Sequence, residues 1–180
     1  MEIKVYKGRP ENERSARETA AYDFLDGLGV EYRRADHGAA ETMEACEEVD
    51  RYLGVVMCKN LFLCNRQKTD FYLLLMPATK PFKTKELSGQ LGTARLSFAS
   101  GEDMESLLGV CPGSVTVLGL INDKENRVRL LIDEDLLAAP EFGCHPLVNT
   151  SSLAFSTADL TEKVIPATNH IPTKVTLIGE

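Results

Sequence analysis

The stretch Asn60–Pro77, "NLFLCNRQKTDFYLLLMP", decides how the chain is read. Two apolar runs flank a polar segment at Asn65–Thr69, and that pattern predicts a β-hairpin. Lys59 stands at the mouth of the first run beside Asn60, where a purely structural strand would place another hydrophobe. Two readings fit this lysine. It can snorkel from a strand end with its stem on apolar surface. It can equally be a fixed ammonium aimed into a cleft, holding a phosphate or polarising a carbonyl.

Toward the N-terminus, "IKVY" reads as a short strand. Over Glu11–Leu28, Ala16, Ala20, Phe24 and Leu28 share one helical face, with Ser15 and Glu18 as a capping box and Gly27 and Gly29 as stops. "VEYRRADH" alternates as a strand does. Thr42 precedes a second helix expected over Met43–Leu53, whose acidic start suits the helix dipole. Downstream, "TKELSGQLG" and "SFASGEDMESLLG" predict short helices, the latter capped by Ser100. "SVTVLGLIND" and "VRLLIDEDLL" predict a second hairpin around "KENR". Late strands are expected near "SSLAFST" and "KVTLIG", with a short helix at "TADLTEKVI".

Strands interleaved with short helices, without repeat or linker, predict one α+β domain over residues 1–180. Its sheet is expected to be mixed, strongly curved and barrel-like. A βαβ alternation with a glycine-rich phosphate loop is missing, which weighs against a Rossmann or P-loop protein.

The 180 residues suit one well-cored domain. At 43% hydrophobic and 26% charged, the chain has a soluble, globular composition. No apolar run approaches the ~20 residues that span a bilayer, and "MEIKVYKGRPENER" lacks the apolar core of a secretion signal. A cytoplasmic location with no membrane partner is expected. Cys46, Cys58, Cys64, Cys111 and Cys144 form no C-x-x-C pair, which argues against a disulfide framework or zinc knuckle. The net charge of −7 argues against a general nucleic-acid binder, DNA included. Residues 59–95, however, carry seven cations against Asp70 and Glu86. That segment is either a solvated face or an electropositive site for one phosphate-bearing ligand.

Two further stretches carry chemistry. In "CPGSVT", Cys111–Thr116, Pro-Gly signals a turn. The bare backbone at Gly113 also lets a ligand approach closely and lets adjacent N–H groups stabilise an oxyanion. In "FGCHPLVNT", His145 can order a water, bond a ligand hydroxyl or cap a turn. A catalytic pair with Cys144 is disfavoured, because adjacent side chains on an extended backbone diverge. No G-x-S-x-G, H-E-x-x-H or EF-hand pattern occurs, and three separated histidines predict neither a metal nor a cofactor.

Taken in order, "DHGAAETMEAC", "CKNLFLCNRQKTDFYLLLMP", "LSFASGEDMESLLGVCPGSVTVLGLIND" and "HPLVNTSSLAFSTADL" resemble the prolyl-tRNA synthetase editing-domain superfamily, the YbaK/ProX group. Within it the likeness is greatest to free-standing Ala-tRNA(Pro) deacylases. The resemblance implies hydrolysis of the ester joining a wrong amino acid to the 3′-terminal adenosine of a tRNA. The acceptor end of aminoacyl-tRNA is the implied partner, with prolyl-tRNA synthetase a candidate second one. It implies Lys59, Gly113 and His145 as the catalytic group, Lys59 orienting the substrate end. Asn60, Leu61, Ser114, Val115, Thr116 and Asn149 are the implied substrate-binding residues. Val117 departs from the family's G-x-x-x-P loop, which keeps open a catalytically weak tRNA- or synthetase-binding module.

An aminoacyl ester is already activated, so no strong nucleophile is needed. Backbone donors near Gly113–Val115 and a held water suffice. Steric overlap in a pocket around Leu61, Val115 and residues 143–147 would exclude proline while admitting alanine. The reading requires Lys59, Gly113 and His145 to converge on one small hollow.

Overall fold

The computed structural model of the chain describes residues 3–39, 43–55 and 58–179. The first part runs β1 (Val5–Lys7), α1 (Ala16–Gly27), β2 (Arg33–Asp36), α2 (Met43–Leu53), β3 (Cys58–Cys64) and β4 (Phe71–Pro77). Then come α3 (Thr84–Leu91), β5 (Ser97–Phe98), α4 (Gly101–Leu108), a 3-10 helix (Val117–Asn122), β6 (Val128–Asp133) and α5 (Glu134–Ala138). The last part holds β7 (Glu141–Cys144), β8 (Ser151–Ser156), α6 (Thr157–Asp159), a π turn (Leu160–Val164), α7 (Ile165–Ala167) and β9 (Thr173–Val175). Pro166 lacks the N–H an α-helix needs there, and the π turn absorbs the break.

The strands form two sheets. One, ordered β1-β2-β8-β7, is antiparallel throughout. The other, ordered β5-β3-β4-β6-β9, is mixed: β3 runs antiparallel to β4 and β5, whereas β6 runs parallel to β4 and β9. The α+β class is as expected, but the single barrel-like sheet is not; neither sheet is strongly curled or closed.

The reason lies in how the faces are covered. Phe71, Leu73 and Leu75 of β4 join the main core, while Tyr72, Leu74 and Met76 join a second cluster with Leu87 of α3, Leu96 and Leu177. Leu153 and Phe155 of β8 enter the main core, and Ala154 packs with Val49 and Leu53 of α2. Separate layers thus cover both faces of each sheet, and closure is not needed to bury them. Cover on both faces also explains the unbroken apolar run "FYLLLM". No helix among the described residues is long and apolar enough to cross a membrane.

Capping signals are largely obeyed, but α1 buries Glu18, Ala21, Tyr22 and Leu25 and leaves Ala16 and Ala20 of the expected face exposed. Ser15 Oγ accepts from the Glu18 N–H at 3.2 Å, although α1 starts at Ala16 rather than Glu11. The capping box is only half made: the Glu18 carboxylate accepts from Tyr22 Oη and Arg14 instead. Ser100 caps α4 as expected. Thr42 lies outside the described residues.

The second hairpin does not form. "SVTVLGLIND" is an extended loop entering the 3-10 helix, with Thr116 Oγ1 accepting from the Leu118 N–H at 3.3 Å. Packing against α4 overrides β-propensity here. A Cβ on Gly119 would stand 3.0 Å from Leu108 Cβ, and Asn122 Nδ2 donates to the Leu108 carbonyl at 2.9 Å. With no strand preceding it, β6 pairs in parallel with β4. The strand β7, unforeseen in "EFGC", pairs with β8 instead.

Candidate functional site

Five of the singled-out residues, Asn60, Leu61, Gly113, Val115 and His145, line one hollow of about 280 Å³. Its remaining wall comes from Cys58 and Phe62 of β3, Phe98 of β5 and Met104 of α4. Strand β3 forms one side, the turn after α4 a second and the end of β7 a third.

The turn is built by its sequence. Pro112 fixes the second position, Gly113 takes φ +89° at the third, and the Ser114 N–H donates to the Cys111 carbonyl at 3.0 Å. The Ser114 N–H is therefore not free for a ligand. Among the described residues, no group accepts from the N–H of Gly113 or of Val115, which flank it. Asn149 stands against the same turn, its Nδ2 3.5 Å from where a Gly113 Cβ would be. Ser114 and Thr116 are buried and do not line the hollow. Thr116 serves the interior instead, capping the 3-10 helix and hydrogen-bonding the Cys144 thiol.

His145 is fixed by the strand beside it. Its Nδ1 lies 2.9 Å from the Ser151 carbonyl, a pure acceptor, so Nδ1 carries the proton and Nε2 of the neutral ring keeps a lone pair. Burial pushes the imidazole's pKa below the ordinary histidine value, against the Ser151 bond, which raises it; nearby His37 lowers it further. The Ser151 hydroxyl donates to Asp36 at 2.7 Å, and Arg14 and Arg34 hold the same carboxylate. Burial alone would raise the Asp36 pKa, yet these partners keep it below the usual range. Between His145 and Asn149 the chain turns through Leu147 at φ +66°, a strained conformation for leucine that its burial maintains.

Lys59 does not join the others in the hollow. Its strand neighbours Cys58, Asn60 and Leu61 line the cavity, whereas the lysine side chain runs toward the loop after β4. There Nζ donates to the Lys80 carbonyl at 2.7 Å. Burial lowers its pKa, and no carboxylate pairs with it among the described residues. The expected convergence of three residues is therefore one of two, Gly113 and His145, with the Lys59 ammonium bonded to the Lys80 carbonyl outside the lining.

Cys144, Leu147 and the rest of residues 143–147 apart from His145 stay out of the lining. Phe62, Phe98 and Met104 were not anticipated. Phe62 lies within the quoted hairpin, but nothing local marks Phe98 or Met104 as neighbours of Gly113. His37 is a second omission: its ring lies 6.4 Å from that of His145, and its Nε2 is 2.9 Å from Ser152 Oγ. Cys58 cannot act as a ready nucleophile, because full burial pushes its thiol pKa well up. No cluster of metal-ligating side chains occurs among the described residues.

A family model for the aminoacyl-tRNA editing domain matches residues 37–163. The prolyl-tRNA editing protein ProX of Acetoanaerobium sticklandii is 29% identical over 146 residues, covering 81% of this chain and 88% of its own. Prolyl-tRNA synthetase associated domain-containing protein 1 of Danio rerio is 30% identical over 152 residues, covering 83% and 82%. The crystal structure of a candidate trans-editing enzyme for prolyl tRNA synthetase superposes with a TM-score of 0.68 at 17% identity, covering 92% of this chain and 99% of that one, a shared fold. The matched span contains every residue that lines the hollow, and the chain belongs to the aminoacyl-tRNA editing domain family.

Proposed function

We propose that the chain is a trans-editing deacylase that hydrolyses the aminoacyl ester of mischarged tRNA, with alanine on tRNA(Pro) as its preferred substrate. The observation that carries this reading is the pairing of an unprotonated His145 Nε2 with two unbonded N–H groups, of Gly113 and Val115, around one hollow. A water held by Nε2 attacks the ester carbonyl carbon and gives its proton to that nitrogen. The oxygen that gains charge is met by the two N–H groups, which need no reorganisation. The bond to the ribose oxygen then breaks, and that oxygen takes the proton back from Nε2. Free amino acid and tRNA leave.

Asn60 and Asn149 flank this path as polar groups for the ribose and the amino acid. Lys59 acts from outside the hollow. A half-buried ammonium bonded only to a neutral carbonyl has its charge uncompensated, and the terminal phosphate of the tRNA is the anion that would draw it. Apolar walls from Phe62, Val115 and Met104 set the size of the accepted side chain.

The test is amino-acid release from tRNA charged with alanine, serine, cysteine or proline. Alanine leaving at least tenfold faster than proline is expected. Absence of release from every substrate would overturn the assignment and favour a binding module of the same fold.

A further inference from the structure

We infer that a cleft formed by α3 and the chain on either side of it seats the single-stranded ribonucleotide segment leading to the esterified adenosine. The inference rests on the deacylase reading above for the position of that adenosine. The cleft is separate from the hollow and larger, about 710 Å³, and its walls include Phe82, Lys83, Lys85, Ser88, Thr93 and Arg95.

Three observations select its occupant. The first is charge. Lys83, Lys85 and Arg95 are all exposed, no carboxylate belongs to the lining, and none of the three has an ion-pair partner among the described residues. The nearby acid, Glu86, is engaged elsewhere, its two oxygens accepting from the N–H groups of Ile178 and Gly179 at 2.6 and 3.1 Å. Three uncompensated cations on a chain of net charge −7 mark a place for a short anionic polymer, while the remainder repels polyanions.

The second observation is continuity. Phe82 lines the cleft, Phe98 lines the hollow, and the two rings meet edge to face at 5.9 Å. The cleft and the hollow thus share an aromatic partition, so a chain whose end occupies one passes directly into the other.

The third is the exposed ring itself. Phe98 is 62% exposed, whereas Leu63, its partner in the ladder, and Phe62 beside it are buried. An aromatic face beside a basic groove is the arrangement that stacks unpaired bases and tracks a backbone. A duplex would present stacked bases that the ring cannot reach.

The experiment separates binding from hydrolysis. Binding of a short single-stranded oligoribonucleotide ending in a 3′-adenosine is measured by fluorescence anisotropy over a salt series. The wild-type chain is compared with the combined Lys83→Ala, Lys85→Ala, Arg95→Ala variant and with a charge-conserving Lys83→Arg, Lys85→Arg, Arg95→Lys control. Loss of three phosphate contacts should weaken binding about tenfold or more and flatten the log–log salt slope by about 2. The charge-conserving control should bind as the wild type does. In parallel, the KM for alanyl-tRNA should rise in the alanine variant, while its hydrolysis of 3′-O-alanyl-adenosine stays unchanged. Unchanged oligoribonucleotide binding in the alanine variant, or equal binding of a blunt RNA duplex, would overturn the inference. Failure of the wild type to hydrolyse either ester overturns the deacylase reading instead, and leaves the binding result to decide the cleft.

Discussion

His145 and Ser151 are joined through Nδ1 and a backbone carbonyl 2.9 Å apart, and that single bond leaves Nε2 as the acceptor of the neutral ring. In the proposed mechanism the working form is the neutral imidazole. Its pKa lies below the ordinary value of about 6.5 because burial disfavours the cation. The sign follows: lowering pH inactivates by protonating Nε2, and depression of the pKa moves that loss to lower pH. The acid limb of the kcat/KM profile should therefore lie below pH ~6.5. His145→Ala should lower kcat by about a hundredfold or more and remove this limb. A limb at or above the ordinary histidine value would count against the assignment.

Gly113→Ala tests the turn. At φ +89° an alanine is strained by about 1–2 kcal/mol, whereas its Cβ would meet only Asn149 Nδ2 at an ordinary 3.5 Å. The chain should still fold. Relaxation of the turn would displace the two free N–H groups, and kcat should fall by one to two orders of magnitude. Thermal melting together with single-turnover deacylation distinguishes the two effects.

Lys59→Ala removes an ammonium whose bond is to the Lys80 carbonyl. Stability should fall by about 1 kcal/mol, readable as a small shift of the denaturation midpoint. The kcat/KM for alanyl-tRNA should drop at least tenfold, with partial recovery in Lys59→Arg. Full retention of kcat/KM would return the residue to a purely structural role.

Val117 departs from the family pattern, yet its place in the chain explains why this is tolerable. It is the first residue of the 3-10 helix, where the N–H has no intrahelical acceptor and proline is favoured. Thr116 before it is already extended, at φ −155° and ψ 153°, as a residue preceding proline requires. Val117→Pro should fold with stability changed by less than about 1 kcal/mol and keep its deacylation rate. Loss of folding would show that Val117 packing, at 0% exposure, outweighs the backbone preference.

A stability prediction concerns Asp123, which is buried and accepts from the N–H groups of Arg127 and Val128 and from His170 Nε2 at 2.9, 2.8 and 2.9 Å. It ties the entry of β6 to the segment before β9. Asp123→Ala leaves those donors without partners, and urea denaturation should show a loss of about 3–5 kcal/mol.

The elements legible in the sequence were those whose signal is local. The hairpin around Asn65–Thr69 was marked by its polar interruption, and α4 by Ser100 and the glycine at its end. The 3-10 helix was hidden because "SVTVLGL" has strand-like composition, and only contact with Leu108 reveals that Gly119 must be bare. At the site, Gly113 and His145 could be found as local oddities, a naked turn and a histidine in irregular chain. Nothing local separates Lys59 from Leu61, two residues on along the same face of β3, which does line the hollow. Phe98, Met104 and His37 reach the site through tertiary packing alone, and no spacing in the sequence places them there.

The turn that carries Gly113 opens with Cys111, the exposed cysteine of the five, whose sulfur lies 3.3 Å from an Arg17 nitrogen. Cys58 and Cys144 are shielded, the latter with its thiol pKa raised to about 12. A maleimide dye would thus react first at Cys111, two residues from Gly113, ahead of the half-buried Cys46 and the buried thiols. The native chain carries its own attachment point for watching substrate arrive and leave.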